Sequence, residues 1–355
     1  MNSLGYWAAH EQYSMDDLLK FIVEAERGGF TTTMTSDHFH PWWNDNAYGN
    51  FTWVWIAAAA ERTKKMQFIT GVTAPVYRYH PAIIAQAFAS LDVLYPGRIG
   101  LGLGTGEAMN EVPLGFDWPS AKVRLARTKE AIEIIKKFWQ NNGNNQDQDN
   151  NYVTYNGNYY HIRNAKLYTS PATEIPIFLA TAGNMSAMVA GQLADGLVTF
   201  LKPEQAKVIL SRFDKTAKSN GRNIDSLQKM VEYKVSYDED YDRAFQSSDF
   251  WRATLIKNVF TSKITDPKKL EAKAKKEVSD QELKESIQIT TSIEDCIKSI
   301  EQYFDVGFTR VYVHSTSPDE IKFVSQFCKK VMPYFEKREQ KDSRNSDLIK
   351  KAEAA

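Results

Sequence analysis

Short apolar and β-branched runs of strand length alternate with stretches of helical spacing along most of the chain. This alternation predicts an α/β fold, because each strand is followed by a helix that can pack against the sheet. Eight such runs are present, and that number favours a closed parallel (β/α)8 TIM barrel over an open sheet. The predicted strands are Leu4–Ala8, Thr31–Thr35, Gln67–Thr73, Arg98–Leu103, Ile177–Ala180, Gly196–Phe200, Met230–Tyr237 and Phe308–His314.

Helix boundaries are marked by proline and glycine. Pro81 can begin a helix, since its missing N–H would have no intrahelical partner there. Gly28-Gly29 and Pro96-Gly97 follow helical stretches and are typical of helix ends. The predicted helices include Met15–Arg27, Pro81–Leu94, Val123–Gln140 and Ile293–Phe304.

The chain is longer than a barrel of this kind requires. A TIM barrel typically takes about 250 residues, so roughly one hundred of the 355 residues must lie in insertions or tails. We predict a single domain over 1–336, with insertions around 141–170 and 241–289 and a polar, frayed or disordered tail over 337–355. The first insertion holds a polar run over 141–151 and a hairpin pattern around Asn156-Gly157. The second is charged and helical in pattern, and could cover the barrel mouth.

Composition excludes several classes of function. The 44 basic and 44 acidic residues balance, so no electrostatic case exists for binding nucleic acid or an anionic membrane. No run approaches the roughly 18 apolar residues of a membrane span. Cys296 and Cys328 lie in helical patterns without a partner motif and are interpreted as reduced packing residues. We therefore expect a soluble cytoplasmic protein that acts on a small molecule.

The loop after the second predicted strand carries candidate chemistry. His38 follows Asp37 at a strand end, and Trp42 lies four residues on. An imidazole titrates near neutrality and could take a hydroxyl proton in an aromatic-walled pocket. A structural histidine is the alternative. Trp53 and Trp55 are interpreted as packing residues.

The loop after the fourth predicted strand is rich in glycine. Gly102, Gly104 and Gly106 are spaced G-x-G-x-G, and the third glycine of a dinucleotide-binding fingerprint is replaced by Glu107. We interpret the segment as backbone lying close against a ring system. Glu107 would then point into the site, where burial would raise its pKa and let it move a proton. A solvated glutamate is the alternative.

Two further patterns bear on ligands. The small-residue turn over 180–186 joins a strand to a helix, and helix N-termini bind phosphate; a plain βα turn is equally consistent with it. Of the six histidines only His38 and His40 are close in sequence, and they lack further ligands in a metal-binding pattern. No metal is expected.

Five motifs together resemble the bacterial-luciferase-like superfamily, in the branch that uses coenzyme F420, a 5-deazaflavin. This branch includes F420-dependent secondary alcohol dehydrogenases and glucose-6-phosphate dehydrogenases, and the resemblance runs from Leu4 to about Pro333. The motifs are His10-Glu11-Gln12-Tyr13, Ser36-Asp37-His38-Phe39-His40-Pro41-Trp42, Arg78-Tyr79-His80-Pro81-Ala82-Ile83-Ile84-Ala85-Gln86, Tyr95-Pro96-Gly97-Arg98 and Gly104-Thr105-Gly106-Glu107-Ala108-Met109-Asn110-Glu111.

The resemblance implies a TIM barrel that is usually a homodimer and holds the deazaflavin at the carboxyl ends of the strands. It places His38 at the substrate hydroxyl, Trp42 in the pocket wall, and Glu107 at the N1 side of the ring with Glu11 nearby. It also implies a non-prolyl cis peptide at Gly71-Val72. Residues implied to hold the cofactor are Asp37, Gly71, Val72, Ala74, Thr105, Gly106, Asn110, Ala182, Gly183, Met185 and Ser186.

The substrate is where the chain departs from its sugar-phosphate relatives, which hold phosphate with Lys, Lys, Arg and His. Thr261 and Ser262 stand where a Lys-His pair is expected, and Ser286 falls near the expected Arg. Lys202 and Lys263 are close to the remaining positions but displaced by one residue. We therefore predict reversible oxidation of an uncharged secondary alcohol, with hydride passing to C5 of the deazaflavin.

Three alternatives stay open. A sugar-phosphate dehydrogenase would require Lys202 and Lys263 to rebuild the clamp from shifted positions. An FMN-dependent monooxygenase on the same barrel would show a flavin absorbance spectrum. A non-catalytic cofactor-binding protein would bind the deazaflavin without turning over any alcohol or sugar phosphate.

Overall fold

The structure is a computed structural model that describes residues 2–140 and 151–338. Within these residues, eight parallel strands form a closed barrel in the order β1-β2-β3-β4-β7-β8-β9-β11. Strand β9 hydrogen bonds both β8 and β11, and β11 pairs with β1, so no barrel edge is left open. The barrel strands are β1 (Ser3–Ala8), β2 (Thr32–Thr35), β3 (Gln67–Thr70), β4 (Ile99–Leu103), β7 (Ile177–Ala180), β8 (Gly196–Thr199), β9 (Gln228–Tyr237) and β11 (Arg310–Ser315).

The predicted TIM barrel is thus confirmed, and each predicted strand corresponds to one barrel strand. The predicted third strand is too long, because β3 ends at Thr70 and the next peptide bond, Gly71–Val72, is cis, as the resemblance implies. A short strand, β10 (Gln288–Thr290), adds to β9 outside the closed ring.

Helices surround the barrel at the positions that the sequence marks. The Ser14 side chain accepts a hydrogen bond from Asp17 N at the start of α1, and Pro81 begins α3 after His80 caps it. Two of the four predicted helices match to the residue. A third begins two residues earlier than predicted, and the fourth begins two residues later and ends one residue later. The helices are α1 (Met15–Arg27), α2 (Thr52–Arg62), α3 (Pro81–Leu94), α4 (Ala108–Glu111), α5 (Ala121–Gln140), α6 (Asn184–Leu193), α7 (Pro203–Ser219), α8 (Tyr241–Ser248), α9 (Pro267–Glu277), α10 (Asp280–Ser286), α11 (Asp295–Asp305) and α12 (Glu320–Lys330).

The first insertion contains the predicted hairpin. Strand β5 (Val153–Asn156) pairs antiparallel with β6 (His161–Ala165). The turn spans 157–160 and is closed by Gly157 N donating to Tyr160 O. The polar run over 141–150 lies outside the described residues.

The second insertion forms helices α8, α9 and α10 over the barrel mouth. Its apolar residues join the inner face of the barrel in one buried cluster, which lies apart from the larger core between barrel and helices. This packing turns the open end of the barrel into a covered cavity. The cluster includes Trp7, Met34, Ile69, Phe178, Val198, Met230 and Tyr312 from the strands, and Trp251, Ile256, Val259 and Leu270 from the insertion.

Several smaller predictions can also be compared with the structure. Trp53 and Trp55 are buried in the larger core, which confirms them as packing residues. Cys296 and Cys328 are both free thiols. Arg338 is helical, and its guanidinium pairs with Glu301. Among the described residues, no helix is long and apolar enough to span a membrane.

Candidate active site

A cavity of about 870 Å³ opens at the carboxyl ends of the barrel strands. Loops that follow β1, β2, β3, β4, β7 and β8 reach it, because parallel strands present their carboxyl ends on one face. Predicted site residues that line the cavity are Glu11, His38, Trp42, Gly71, Val72, Thr105, Gly106, Glu107, Ala182, Gly183, Ser186 and Lys202.

His38 and Glu11 form a buried pair on this wall. The Nδ1 atom of His38 bonds Glu11 Oε1, and the other carboxylate oxygen accepts a hydrogen bond from Ser36 Oγ at 2.6 Å. Ser36 Oγ in turn accepts from the backbone N of His10 at 2.9 Å. Each carboxylate oxygen of Glu11 therefore has a hydrogen-bond partner. The Nε2 atom of the His38 imidazole takes no part in this pair and faces the cavity.

The pair titrates far from ordinary values. Burial by itself would lower the pKa of His38, but the Glu11 charge and hydrogen bond together raise this pKa to about 9. Burial would likewise raise the pKa of Glu11, and the charge of His38 with its hydrogen bonds lowers that pKa to about 2. Near neutral pH the pair is an imidazolium beside a carboxylate, so His38 is set to donate a proton and must lose one before it can accept another.

Glu107 and Trp42 border the free side of the imidazole. Glu107 Oε2 lies 3.9 Å from His38 Nε2, and the Trp42 ring meets the imidazole edge-on with centroids 5.7 Å apart. Phe260, from the second insertion, packs against Trp42 at 5.4 Å. The Nε2 atom that faces the cavity thus has the Glu107 carboxylate on one side, while the Trp42 ring, backed by Phe260, covers the imidazole.

Asn110 is not on the cavity wall, although it was predicted to line the cofactor. Its Oδ1 accepts from the backbone N of Phe39 at 2.7 Å and of His40 at 3.1 Å, and its Nδ2 donates to Glu107 Oε2 at 3.1 Å. These bonds tie the loop carrying His38 to α4 and to Glu107, which directly precedes that helix. The structure gives Asn110 a positioning role behind the wall.

Asp37 is also absent from the cavity lining, and its contact with the deazaflavin stays a prediction. Its carboxylate accepts from Thr73 Oγ1 at 2.7 Å, from Arg78 Nη2 at 3.2 Å and from the Tyr79 hydroxyl at 3.3 Å. These three donors hold both oxygens of the carboxylate in place. The bonds fix the backbone immediately before His38, so Asp37 positions that loop.

Close packing requires glycine at Gly102, near the end of β4, and at Gly104, just after it. A Cβ on Gly102 would lie 1.8 Å from the carbonyl oxygen of Thr70, and one on Gly104 would lie 2.4 Å from Val72 Cγ2. Only glycine allows β4 to approach β3 and the cis peptide this closely. Ala74, a predicted cofactor residue, is buried behind Gly106 rather than on the wall.

The turn between β7 and α6 brings Ala182, Gly183 and Ser186 to the cavity rim. Gly183 precedes the helix and no side chain caps the first N–H groups of α6. Met185, predicted to act with them, is 60% exposed and does not line the cavity. The turn is thus open to an anion at the helix N-terminus.

The two lysines predicted to bind the substrate have different positions relative to the cavity. Lys202 lines the cavity, and its Nζ donates to the Glu285 backbone oxygen. Lys263 does not line the cavity, and neither do Thr261 and Ser262 from the same segment. Ser286 does lie on the wall, so the position near the expected arginine is present but uncharged.

The Luciferase-like monooxygenase family model matches residues 3–310. The chain belongs to this family. An F420-dependent glucose-6-phosphate dehydrogenase of Microbacterium testaceum is 34% identical over 337 residues, covering 94% of this chain and 97% of the relative. The corresponding dehydrogenase of Intrasporangium calvum is 35% identical over 339 residues, with 94% and 98% covered.

A solved structure of a protein with another activity is similar to this chain at the same level of sequence identity. An F420-dependent secondary alcohol dehydrogenase in complex with an F420-acetone adduct superposes with a TM-score of 0.87 and 35% identity. The match covers 93% of this chain and 98% of that chain. The predicted family, its F420-dependent branch and its barrel are confirmed, while the two activities are represented equally.

Several cavity residues of this luciferase-like chain were not predicted. Ser36 bonds Glu11, Phe260 covers Trp42, and Glu232 and Lys234 line the wall opposite the loops. One signal in the sequence could have identified Glu232 and Lys234 as cavity residues. Charged residues two apart in a predicted barrel strand share a face, and polar side chains facing the inside of a barrel indicate a site. Among the described residues, no group of three or more His, Cys, Asp or Glu side chains could hold a metal ion.

Proposed function

We propose that this chain oxidises a secondary alcohol with coenzyme F420 as the hydride acceptor, and that His38 takes the hydroxyl proton. The observation that carries this proposal is the His38–Glu11 pair, whose free nitrogen faces Glu107 across 3.9 Å of a covered cavity. Both the glucose-6-phosphate dehydrogenases and the secondary alcohol dehydrogenase among its relatives are F420-dependent. The chain is an F420-dependent oxidoreductase that acts on CH–OH groups.

The cavity fits this cofactor. Gly71, Gly104 and Ala182 give it a wall of small residues on which a flat ring could lie. The uncapped N-terminus of α6, beside Gly183 and Ser186, supplies backbone N–H groups suited to a phosphate. When bound, the deazaflavin supplies hydride acceptance and return.

Proton movement falls to residues of the chain itself. In the direction of alcohol oxidation, neutral His38 accepts the hydroxyl proton at Nε2, and Glu11 stabilises the imidazolium that results. In the direction of ketone reduction, the imidazolium donates the proton. Glu107 faces the same nitrogen and stabilises its positive charge, while Trp42 and Phe260 keep water from this edge.

An uncharged alcohol is the substrate that we favour, because the charges expected of a phosphate clamp are incomplete. Lys263 lies off the wall and Ser286 brings no charge. The second candidate, a sugar phosphate, is favoured by Lys202 and Lys284, both of which line the cavity. Charge-assisted hydrogen bonds contribute about 1.5–3 kcal/mol each, so losing two or three weakens phosphate binding by roughly three orders of magnitude.

A substrate panel tests the proposal. Purified protein is mixed with oxidised coenzyme F420 and either 2-propanol, cyclohexanol or glucose 6-phosphate, and loss of the oxidised absorbance is followed. We expect turnover of the alcohols and poor turnover of glucose 6-phosphate. A micromolar Michaelis constant for glucose 6-phosphate would make the sugar-phosphate activity the main one.

Other outcomes identify the remaining alternatives. A purified protein with bound flavin, and no reduction of coenzyme F420 by any alcohol, would favour the FMN-dependent monooxygenase. Tight binding of coenzyme F420 without turnover of any panel member would favour a non-catalytic binding protein. Either result would overturn the proposed dehydrogenase.

We also propose a homodimer. Neighbouring helices α2 and α3, joined by the contact of Trp53 with Phe88, carry exposed apolar side chains at Val54, Ile83 and Leu94. Exposed apolar side chains on adjacent helices are typical of a protein interface. Light scattering should give twice the protomer mass of 40.5 kDa, and Val54→Asp should return the mass to that of a monomer. A monomer in the unaltered chain would contradict this proposal.

A further inference from the structure

A second charged group lines the same cavity, on the inner face of the barrel. Glu232 and Lys234 are two residues apart on β9, so both side chains face inward. His314 lies beside Lys234 in the register between β9 and β11. The proton relay described above uses none of these residues.

The hydrogen bonds in this group leave donors and an acceptor unused. Lys234 Nζ and His314 Nδ1 both bond the same oxygen, Glu232 Oε1, at 2.7 Å and 2.6 Å. Glu232 Oε2 receives no hydrogen bond from any residue that the structure describes. A lysine ammonium carries three N–H donors, and Lys234 spends one of them on Glu232. The cavity wall therefore presents an unbonded carboxylate oxygen of Glu232 beside unbonded ammonium protons of Lys234.

The group adjoins the reacting end of the cavity. Trp251 donates from Nε1 to Gln12 Oε1 at 2.8 Å, and Gln12 follows Glu11 in the chain. The Lys234 ammonium lies 5.3 Å from the centre of the Trp251 ring, and His314 is packed between Trp251 and Trp7. Trp251 therefore contacts both the segment that carries Glu11 and the Lys234–His314 group. His38, Glu232 and Lys234 all line the same cavity.

We propose that Glu232 and Lys234 bind a second hydroxyl of the substrate, so that the site selects polyhydroxylated secondary alcohols over simple alkyl alcohols. A hydroxyl can donate to Glu232 Oε2 while it accepts from Lys234 Nζ, which satisfies both unused groups at once. An alkyl chain would cover these charges without bonding them, and sites built to bond a hydroxyl reject analogues that lack it. This inference rests on the proposed alcohol oxidation and narrows its substrate class.

The test compares Lys234→Met with a matched variant, Lys229→Met. Lys229 is also on β9, pairs with Asp214 at 2.8 Å, and has a side chain 15% exposed against 16% for Lys234, but it does not line the cavity. Three substrates are used: cyclohexanol with one CH–OH group, glucose with several, and glucose 6-phosphate with an added phosphate. Fluorescence titration with coenzyme F420 checks cofactor binding in each variant.

We expect Lys234→Met to lower the glucose-to-cyclohexanol ratio of kcat/KM by roughly 10- to 100-fold, the loss of one hydrogen bond to a charged group. The ratio with glucose 6-phosphate should fall by a similar factor, and Lys229→Met should move neither ratio. Glu232→Gln keeps the side-chain shape and should lower the same ratios, which covers the case that Lys234→Met does not fold.

Other outcomes overturn the inference. Unchanged ratios would mean that the pair binds no hydroxyl, and a fall confined to glucose 6-phosphate would assign Lys234 to the phosphate. If the unaltered protein turns over no alcohol, the proposed oxidation fails instead. Calorimetry of glucose binding to the F420-loaded protein then decides this inference alone, through binding that Lys234→Met must weaken.

Discussion

The barrel contains two histidine–carboxylate pairs that share a geometry and differ in charge. In one, His38 Nδ1 bonds Glu11; in the other, His314 Nδ1 bonds Glu232 at 2.6 Å. Both carboxylates are buried, and both have a pKa near 2. Yet the pKa of His38 is raised to about 9, whereas the pKa of His314 is lowered.

The surroundings of each pair explain the difference. The His314 side chain is 0% exposed and that of His38 is 13% exposed, so burial opposes the charged form more strongly at His314. Glu232 also bonds the Lys234 ammonium, which repels a second positive charge, while Glu11 receives its other bond from the neutral Ser36 hydroxyl. A carboxylate partner alone does not make an imidazole an acid or a base; the competing cation and the solvent decide.

Removing the charged imidazole should have the largest effect. We expect His38→Ala to lower turnover of the secondary alcohol by roughly 10²–10⁴-fold, the usual contribution of a general acid–base group. Affinity for coenzyme F420, measured by fluorescence titration, should stay nearly intact. Turnover within a few-fold of the unaltered protein would remove His38 from the proposed chemistry.

Removing the charge of its partner should shift the rate profile. In Glu11→Gln, burial lowers the pKa of His38 without an opposing carboxylate, so we expect the midpoint of alcohol oxidation to move to lower pH by roughly 1–3 pH units. Ketone reduction at pH 8 should weaken in parallel, because the imidazolium is lost. Ser36→Ala serves as the control, since it removes a neutral donor and keeps the Glu11 charge. Identical profiles for Glu11→Gln and the unaltered protein would separate Glu11 from the proton relay.

Glu107 should matter less than Glu11, since it is farther from the imidazole. We expect Glu107→Gln to reduce turnover by about tenfold or more and to lower the pH midpoint slightly, because the Glu107 charge also raises the pKa of His38. Steady-state rates over a pH series measure both effects. An unchanged rate with an unchanged profile would leave Glu107 as a structural residue of the loop.

The second histidine provides the smallest effect and the sharpest contrast. His314→Gln should leave the pH midpoint of oxidation where it is, because His314 stays neutral across the working range. The free energy of unfolding should fall by about 1–3 kcal/mol, the cost of disturbing a buried hydrogen bond. Denaturant titration measures this loss. A shifted pH midpoint would mean that His314 shares the proton with His38.

The order of strands and helices could be predicted from the sequence because the spacing of apolar residues and the positions of proline and glycine are local signals. The spacing of apolar residues located α1 and α3 to the residue, and glycine or proline marked their ends. The Asn156-Gly157 pair correctly marked the β5–β6 hairpin. The length of its turn, which closes at Tyr160, is not specified by that pair.

The site was predictable where a residue lies in a loop at a strand end, as for His38 and Glu107. The site was not predictable where it depends on which way a side chain points. Asp37 adjoins His38 in sequence, but Arg78, Thr73 and Tyr79 turn its carboxylate away from the wall. Glu232 and Lys234 were not predicted, although their spacing on one strand is visible in the sequence. Their pairing with His314 depends on the neighbouring strand.

The charged state of His38 is most directly tested by the pH dependence of kcat/KM for alcohol oxidation in the unaltered protein. Rates with saturating coenzyme F420 are measured from about pH 6 to about pH 10, with cyclohexanol as substrate. We predict that kcat/KM rises about tenfold per pH unit and levels off near pH 9, where His38 loses its proton. A profile that is flat between pH 7 and pH 9 would contradict the imidazolium–carboxylate pair and the proton transfer built on it.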